Sequence, residues 1–255
     1  MKIQKINNHN LIIEKLRSIG NNLLNKPYEF IHFTSNKETD NLLNDLKNYP
    51  HAFVLACIMD RQIKAERAWL IPYLVYKELH SFKITDLLKK ETNYYIGLFR
   101  QNNYHRFNQT MGELFYRGIQ KIHDNYNNDA SLIWSDCPMS ATLIRRFLNF
   151  QGVGIKIATM AANILVREFK VKVKDYVYID VSPDVHLWRV FKRIGFIEKD
   201  ASPEELIYKA RELNPDYPGI FDLSCWEIGR NWCKAHNPKC NECYLGNYCE
   251  KGIDN

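Results

Sequence analysis

ATLIRRFLNFQGVGIKIATMAANILVREF, residues 141–169, reads as a helix, a tight turn and a second helix. Leu143, Ile144, Phe147, Leu148 and Phe150 give the first arm an apolar stripe at helical spacing. Gly152 and Gly154 punctuate the turn, where two glycines permit positive φ and a close approach of the backbone. From Ile155 the second arm is apolar almost all round, the pattern of a buried helix. Lys156 breaks that pattern in the first turn. A cation there opposes the helix dipole and loses water, and both effects favour the neutral amine. Snorkelling to solvent, or contact with a phosphate, explains the same residue more plainly.

Outward from this stretch the chain is globular in composition, with 45% apolar and 25% charged residues over 255 positions. The formal net charge of +6 permits a polyanionic partner. Arg145-Arg146, the lysines from Lys170 to Lys174, and Lys192-Arg193 are candidate anion-facing runs, although any one run also reads as a solvated face. No segment reaches the roughly 18 apolar residues of a membrane span. The N-terminal residues lack the apolar region of a signal peptide, so a reducing compartment is expected: the cytoplasm with its nucleoid, or a nucleus.

Upstream, helices are expected over 8–25, around 37–46, through a long apolar region over 51–80 that restarts at Pro72, and over 107–124. Asp60-Arg61-Gln62 follows the most apolar run, and helix-end solvation accounts for it. Tyr104-His105-Arg106-Phe107 mixes aromatic and basic side chains, which suits base stacking or a half-buried surface. Downstream, Phe169 to Val181 alternates apolar and polar residues and predicts a small β-ribbon. Asp184 stands at the start of a helix, where an aspartate is ordinarily a cap. Ser202-Pro203-Glu204-Glu205 opens another helix.

Near the C-terminus, Cys233, Cys240, Cys243 and Cys249 are spaced C-x6-C-x2-C-x5-C. Four cysteines so close in a reducing compartment point to a metal. Zinc and a [4Fe–4S] cluster both take four thiolates, and spacing alone leaves the two open. Cys57, Cys137 and Cys225 are scattered and read as ordinary thiols.

Three of these stretches together resemble the iron–sulfur branch of the helix-hairpin-helix DNA glycosylases, the endonuclease III type. Phe150-Gln151-Gly152-Val153-Gly154-Ile155-Lys156 is similar to the family's hairpin motif. Asp184-Val185-His186-Leu187-Trp188-Arg189-Val190 is similar to its catalytic-aspartate segment, and the cysteine spacing to its cluster loop. Departures are Gln151 in place of the hairpin proline, Asp60-Arg61 in place of small residues, and a longer path from hairpin to aspartate.

The resemblance implies an all-α fold in two lobes with a C-terminal [4Fe–4S] loop and room for the one small ribbon. A helical barrel over 51–168 is expected beside a cluster domain formed by 1–50 and 169–255. The cleft between them would bring Lys156 and Asp184 together. The implied activity is that of a monomeric base-excision glycosylase with AP lyase chemistry, acting on double-stranded DNA that carries a damaged base or an abasic site. Oxidised pyrimidines are the family's default substrate. Lys156 would be the nucleophile, and Asp184 would stabilise charge on the sugar and help activate that nucleophile. Gln62, Gln151, Gly152, Val153, Gly154 and Ile155 would contact DNA, and the four cysteines would hold the cluster, with Lys234 and Lys239 facing DNA. Rival readings are a monofunctional glycosylase, a non-catalytic DNA-binding iron–sulfur protein and a zinc module.

Overall fold

The computed structural model describes residues 2–249, with side chains from residue 8. Twelve α-helices and three 3-10 turns lie among the described residues, with no strand. They form two compact units, Glu29–Lys174 and Met1–Tyr28 with Asp175–Asn255. No described helix is long and apolar enough to cross a membrane.

In the first of these units the centre is α3 (Pro50–Met59), whose ten residues are all buried. A helix without a polar face must be covered on every side. Around it stand α2 (Lys37–Asn44), α4 (Ala65–Leu79), α7 (Asn108–Tyr126) and α9 (Ile155–Arg167). Two shorter helices, α5 (Ile84–Leu87) and α6 (Thr92–Gln101), pack on α7, and α8 (Ser140–Leu148) packs on α9. Residues 29–50 belong to this unit because Phe33 stacks on Trp69 at 4.7 Å and α2 packs on α3 and α4.

The break in the long apolar region comes earlier than Pro72. Pro72 is buried inside an uninterrupted α4, and the chain turns instead at 60–64, where Gln62 takes a φ of 56°.

His51 carries a pH dependence. Its ring is 4% exposed, stacks on Phe82, and donates from Nε2 to the Phe82 carbonyl at 2.5 Å. Burial lowers its pKa from 6.5 to about 4. The unfolded chain therefore binds a proton that the folded chain refuses, and stability falls as pH drops through that window. The full shift corresponds to about 3 kcal/mol. Urea unfolding between pH 7 and pH 4 should show a smaller loss in His51→Gln than in the wild type. Equal losses would remove His51 as the cause.

The other unit is built on α1 (Lys2–Leu24), α10 (Val185–Arg193), α11 (Pro203–Leu213) and α12 (Ile220–Asn231). Its core joins Ile12 and Leu16 of α1 to Leu187, Val190 and Phe191 of α10, Leu206 of α11, and Phe221, Cys225 and Ile228 of α12. The close approach of α1 to α12 needs Gly20, because a Cβ there would meet the Ile220 carbonyl oxygen at 2.5 Å. Ser202 closes the capping box read from the sequence, accepting from Glu205 N while Glu205 accepts from Ser202 N.

The β-ribbon expected over 169–181 is a loop with one 3-10 turn, Tyr176–Tyr178. Val171 and Lys174 donate their backbone N–H groups to Leu165 and Pro138, so no partner strand is left for them to pair with. The alternation has another origin: Val173, Ile179 and Val181 are single buried anchors, the first in one unit and the other two in the second.

Candidate active site and cysteine loop

The turn between α8 and α9 uses its two glycines differently. Gly152 has a φ of 83°, and a Cβ there would lie 2.6 Å from Leu114 Cδ1, so both conformation and packing require glycine. Gly154 is extended backbone, and a Cβ on it would meet nothing within 4 Å. The expectation of positive φ thus holds for Gly152 alone, and Gly154 faces open space. Gln151, Gly154 and Ile155 are exposed. The α9 ladder begins with Ile157 and Ala158 donating to Gly154 O. Among the described residues no backbone acceptor takes the N–H groups of Gly154, Ile155 or Lys156.

Lys156 is the second residue of α9, with its side chain one-third exposed. Its Nζ lies 2.5 Å from Asp60 Oδ2. Asp60 is only 7% exposed and caps the C-terminus of α3. Helix-end solvation therefore does not describe it: the carboxylate is withdrawn from water and paired with the cation of α9. Sequence reading missed this partner. The available signal was an acid closing a wholly apolar helix in a chain with one isolated cation in a second apolar helix.

The 60–64 loop is braced from the other side. His105 is fully buried, with Nε2 donating to the Met59 carbonyl at 3.2 Å and Nδ1 accepting from Phe107 N at 3.0 Å. That pattern uses the neutral ring, and burial lowers its pKa in the same direction. Arg67 donates to the carbonyls of Asn103 and Tyr104. The 104–107 cluster is thus a brace for the loop carrying Gln62, with Phe107 left 37% exposed. Lys156 and the Gln62 loop are brought together through Asp60.

Asp184 belongs to the other unit. It caps α10, its Oδ1 accepting from His186 N at 2.9 Å and Leu187 N at 2.8 Å. Asp222 of α12 holds the approach to it by accepting from Ser182 N at 2.7 Å. His186 is structural: its Nδ1 meets Arg189 at 3.0 Å, and its ring occupies the space left by Gly229.

From the same helix, two arginines secure the cysteine loop. Arg189 donates to Cys233 O and Gly229 O. Arg193 donates to Cys233 Sγ at 3.4 Å and to the carbonyls of Lys234 and Ala235. Leu245, 1% exposed, pins the loop into the core. Burial, and then the neighbouring cysteines, push the Cys249 thiol up to about 11, and Cys243 moves in the same direction. Cys233 and Cys240 act on both, so the four sulfurs share one neighbourhood. Among the described residues no group of His, Cys, Asp or Glu closes up around a single metal ion. Lys234 is exposed, and Lys239 pairs with Glu242 at 3.2 Å.

Against solved structures, the chain superposes on a trapped endonuclease III–DNA covalent intermediate with a TM-score of 0.63 at 17% identity, over 94% of each chain. A non-covalent endonuclease III–DNA complex follows at 0.61. The fold is that of endonuclease III. A thermostable thymine-DNA glycosylase shares it, with a TM-score of 0.56 over 96% of each chain. In sequence the chain is similar to endonuclease III of Thermotoga maritima, 34% identical over 108 residues, which is 42% of this chain and 46% of that protein. It is 27% identical to endonuclease III of Sulfolobus acidocaldarius over 150 residues, 57% and 60% of the two chains. The matched stretches thus span about half the length of these curated relatives. No family model matches.

Proposed function

We propose that this protein is a base-excision-repair DNA glycosylase that also nicks the strand at the resulting abasic site. The observation that carries the reading is Lys156 in the first turn of α9, beside an open glycine turn whose N–H groups have no backbone acceptor among the described residues. Free N–H groups at a helix start suit a phosphate, and the lack of a side chain at Gly154 lets one approach. Such contacts place the duplex without reading its sequence. A base inside the stack is out of reach, so the target nucleotide is turned outward, and Gln62 on its braced loop is suited to occupy the vacated space.

Lys156 is the nucleophile. Its neutral amine attacks C1′, the bond to the base breaks, and the Schiff base permits β-elimination. Asp184 stabilises positive charge developing on the sugar, and its Oδ1 bonds to two backbone N–H groups hold the carboxylate in place. Oxidised pyrimidines are the proposed substrates.

The donor set of Cys233, Cys240, Cys243 and Cys249 suits a [4Fe–4S] cluster. Four cysteine thiolates are the donor set such a cluster takes, and Cys233, Cys243 and Cys249 pack against one apolar core. When bound, the cluster supplies a structural staple for the loop. Arg189 and Arg193 then tie that loop to the helix that Asp184 caps.

The test is a panel of duplexes, each with one lesion, assayed separately for base release and strand nicking. Release together with nicking on an oxidised-pyrimidine duplex is the expected result. Release without nicking would favour the monofunctional glycosylase, and neither event on any duplex would remove the enzymatic reading.

A further inference from the structure

A lysine nucleophile must lose a proton before it attacks, and the structure places a carboxylate against it. We infer that Asp60 is the proton acceptor for Lys156. This rests on the reading of Lys156 as the nucleophile. Three observations carry it. Asp60 Oδ2 lies 2.5 Å from Nζ. The carboxylate is 7% exposed while the amine is 33% exposed, so Asp60 sits behind Lys156 and leaves its outer face open. Finally, the end of α3 that holds Asp60 is fixed by His105 on Met59 O.

Within their own unit, the charges around the pair leave this role to Asp60. Cys57 of α3 faces both groups, and burial raises its pKa well above the ordinary value, so it stays a neutral thiol. His105 is neutral in its bonding. Arg61 and Arg67 are cations and accept nothing. On α8, which packs against α9, Arg146 is tied to Asp136 by two bonds of 2.7 Å. Lys156 Nζ and Asp60 Oδ2 form an ion pair. When DNA covers the amine and expels water, Asp60 is the acceptor already in contact with the Lys156 ammonium.

With an abasic aldehyde the step balances as follows. The Lys156 ammonium passes one proton to Asp60, and the freed lone pair forms the bond from Nζ to C1′. A second proton moves from nitrogen to the former carbonyl oxygen. Asp60 returns its proton to that hydroxyl, which leaves as water, and a protonated Schiff base remains. Asp60 ends as carboxylate.

The experiment is single-turnover borohydride trapping on an abasic duplex with the full chain, read against pH for wild type, Asp60→Asn and Asp60→Glu. Thermal melts and duplex affinity measured alongside separate a folding or binding loss from a chemical one. Wild type should trap at a rate nearly flat from about pH 6 to about pH 9, because the proton moves within the pair. Asp60→Asn should trap roughly a hundredfold more slowly near neutrality and gain about tenfold per pH unit, because solvent must now take the proton. Asp60→Glu should retain the flat profile. An Asp60→Asn profile as flat as wild type, or faster trapping at neutral pH, would overturn the role of Asp60 and leave Lys156 as the nucleophile. No adduct from wild type at any pH would overturn both.

Discussion

Lys156→Gln should abolish borohydride trapping and reduce nicking of an abasic duplex by at least about a thousandfold, as removal of a covalent nucleophile does. The fold should survive the change. Lys156 lies at the start of α9 with its side chain one-third exposed, and glutamine still offers Asp60 a donor. The cost is therefore that of a weakened buried contact, about 1–3 kcal/mol. A monofunctional enzyme answers differently: base release would continue, and only duplex affinity would drop. Measuring base release, nicking and affinity on one preparation separates the two mechanisms. Unchanged nicking would remove the lysine from the chemistry.

Asp184→Asn separates catalysis from capping. Asparagine caps a helix about as well as aspartate, so α10 should keep its start. The bonds from His186 N and Leu187 N to Oδ1 have an equivalent acceptor in the amide oxygen. Only the negative charge is lost. Base release should fall by roughly a hundredfold or more, with thermal stability close to wild type. Asp184→Ala should lose the same activity and about 1 kcal/mol of stability besides. Full activity in Asp184→Asn would reduce the residue to a cap and favour a protein that binds DNA without acting on it.

What could be read from the chain depended on distance along it. The hairpin, the Ser202 capping box and the Asp184 cap are set by residues within a few positions of one another, and all three stand where the pattern placed them. The covered helix α3 followed from its unbroken apolar run. Alternation over 169–181 misled because a period of two also describes a connector that drops single anchors into two units. Pro72 misled because a buried helix flanked by neighbours tolerates one missing donor, whereas the real break needed only Gln62 at positive φ. The ion pair of Asp60 and Lys156 joins residues 96 positions apart. No local pattern encodes it; it exists because α9 packs on α3. His105 is similar, since its partner Met59 is 46 positions away. Its aromatic neighbours suggested a stacking surface, and burial made it a brace.

In this mechanism the amine at the hairpin bonds to the sugar. The most direct test is to trap the wild-type protein on an abasic duplex with borohydride, digest the adduct, and locate the modified residue by mass spectrometry. One sugar-bearing lysine, Lys156, is the expected result. An adduct on another residue, or none under conditions where the duplex is bound, would contradict it.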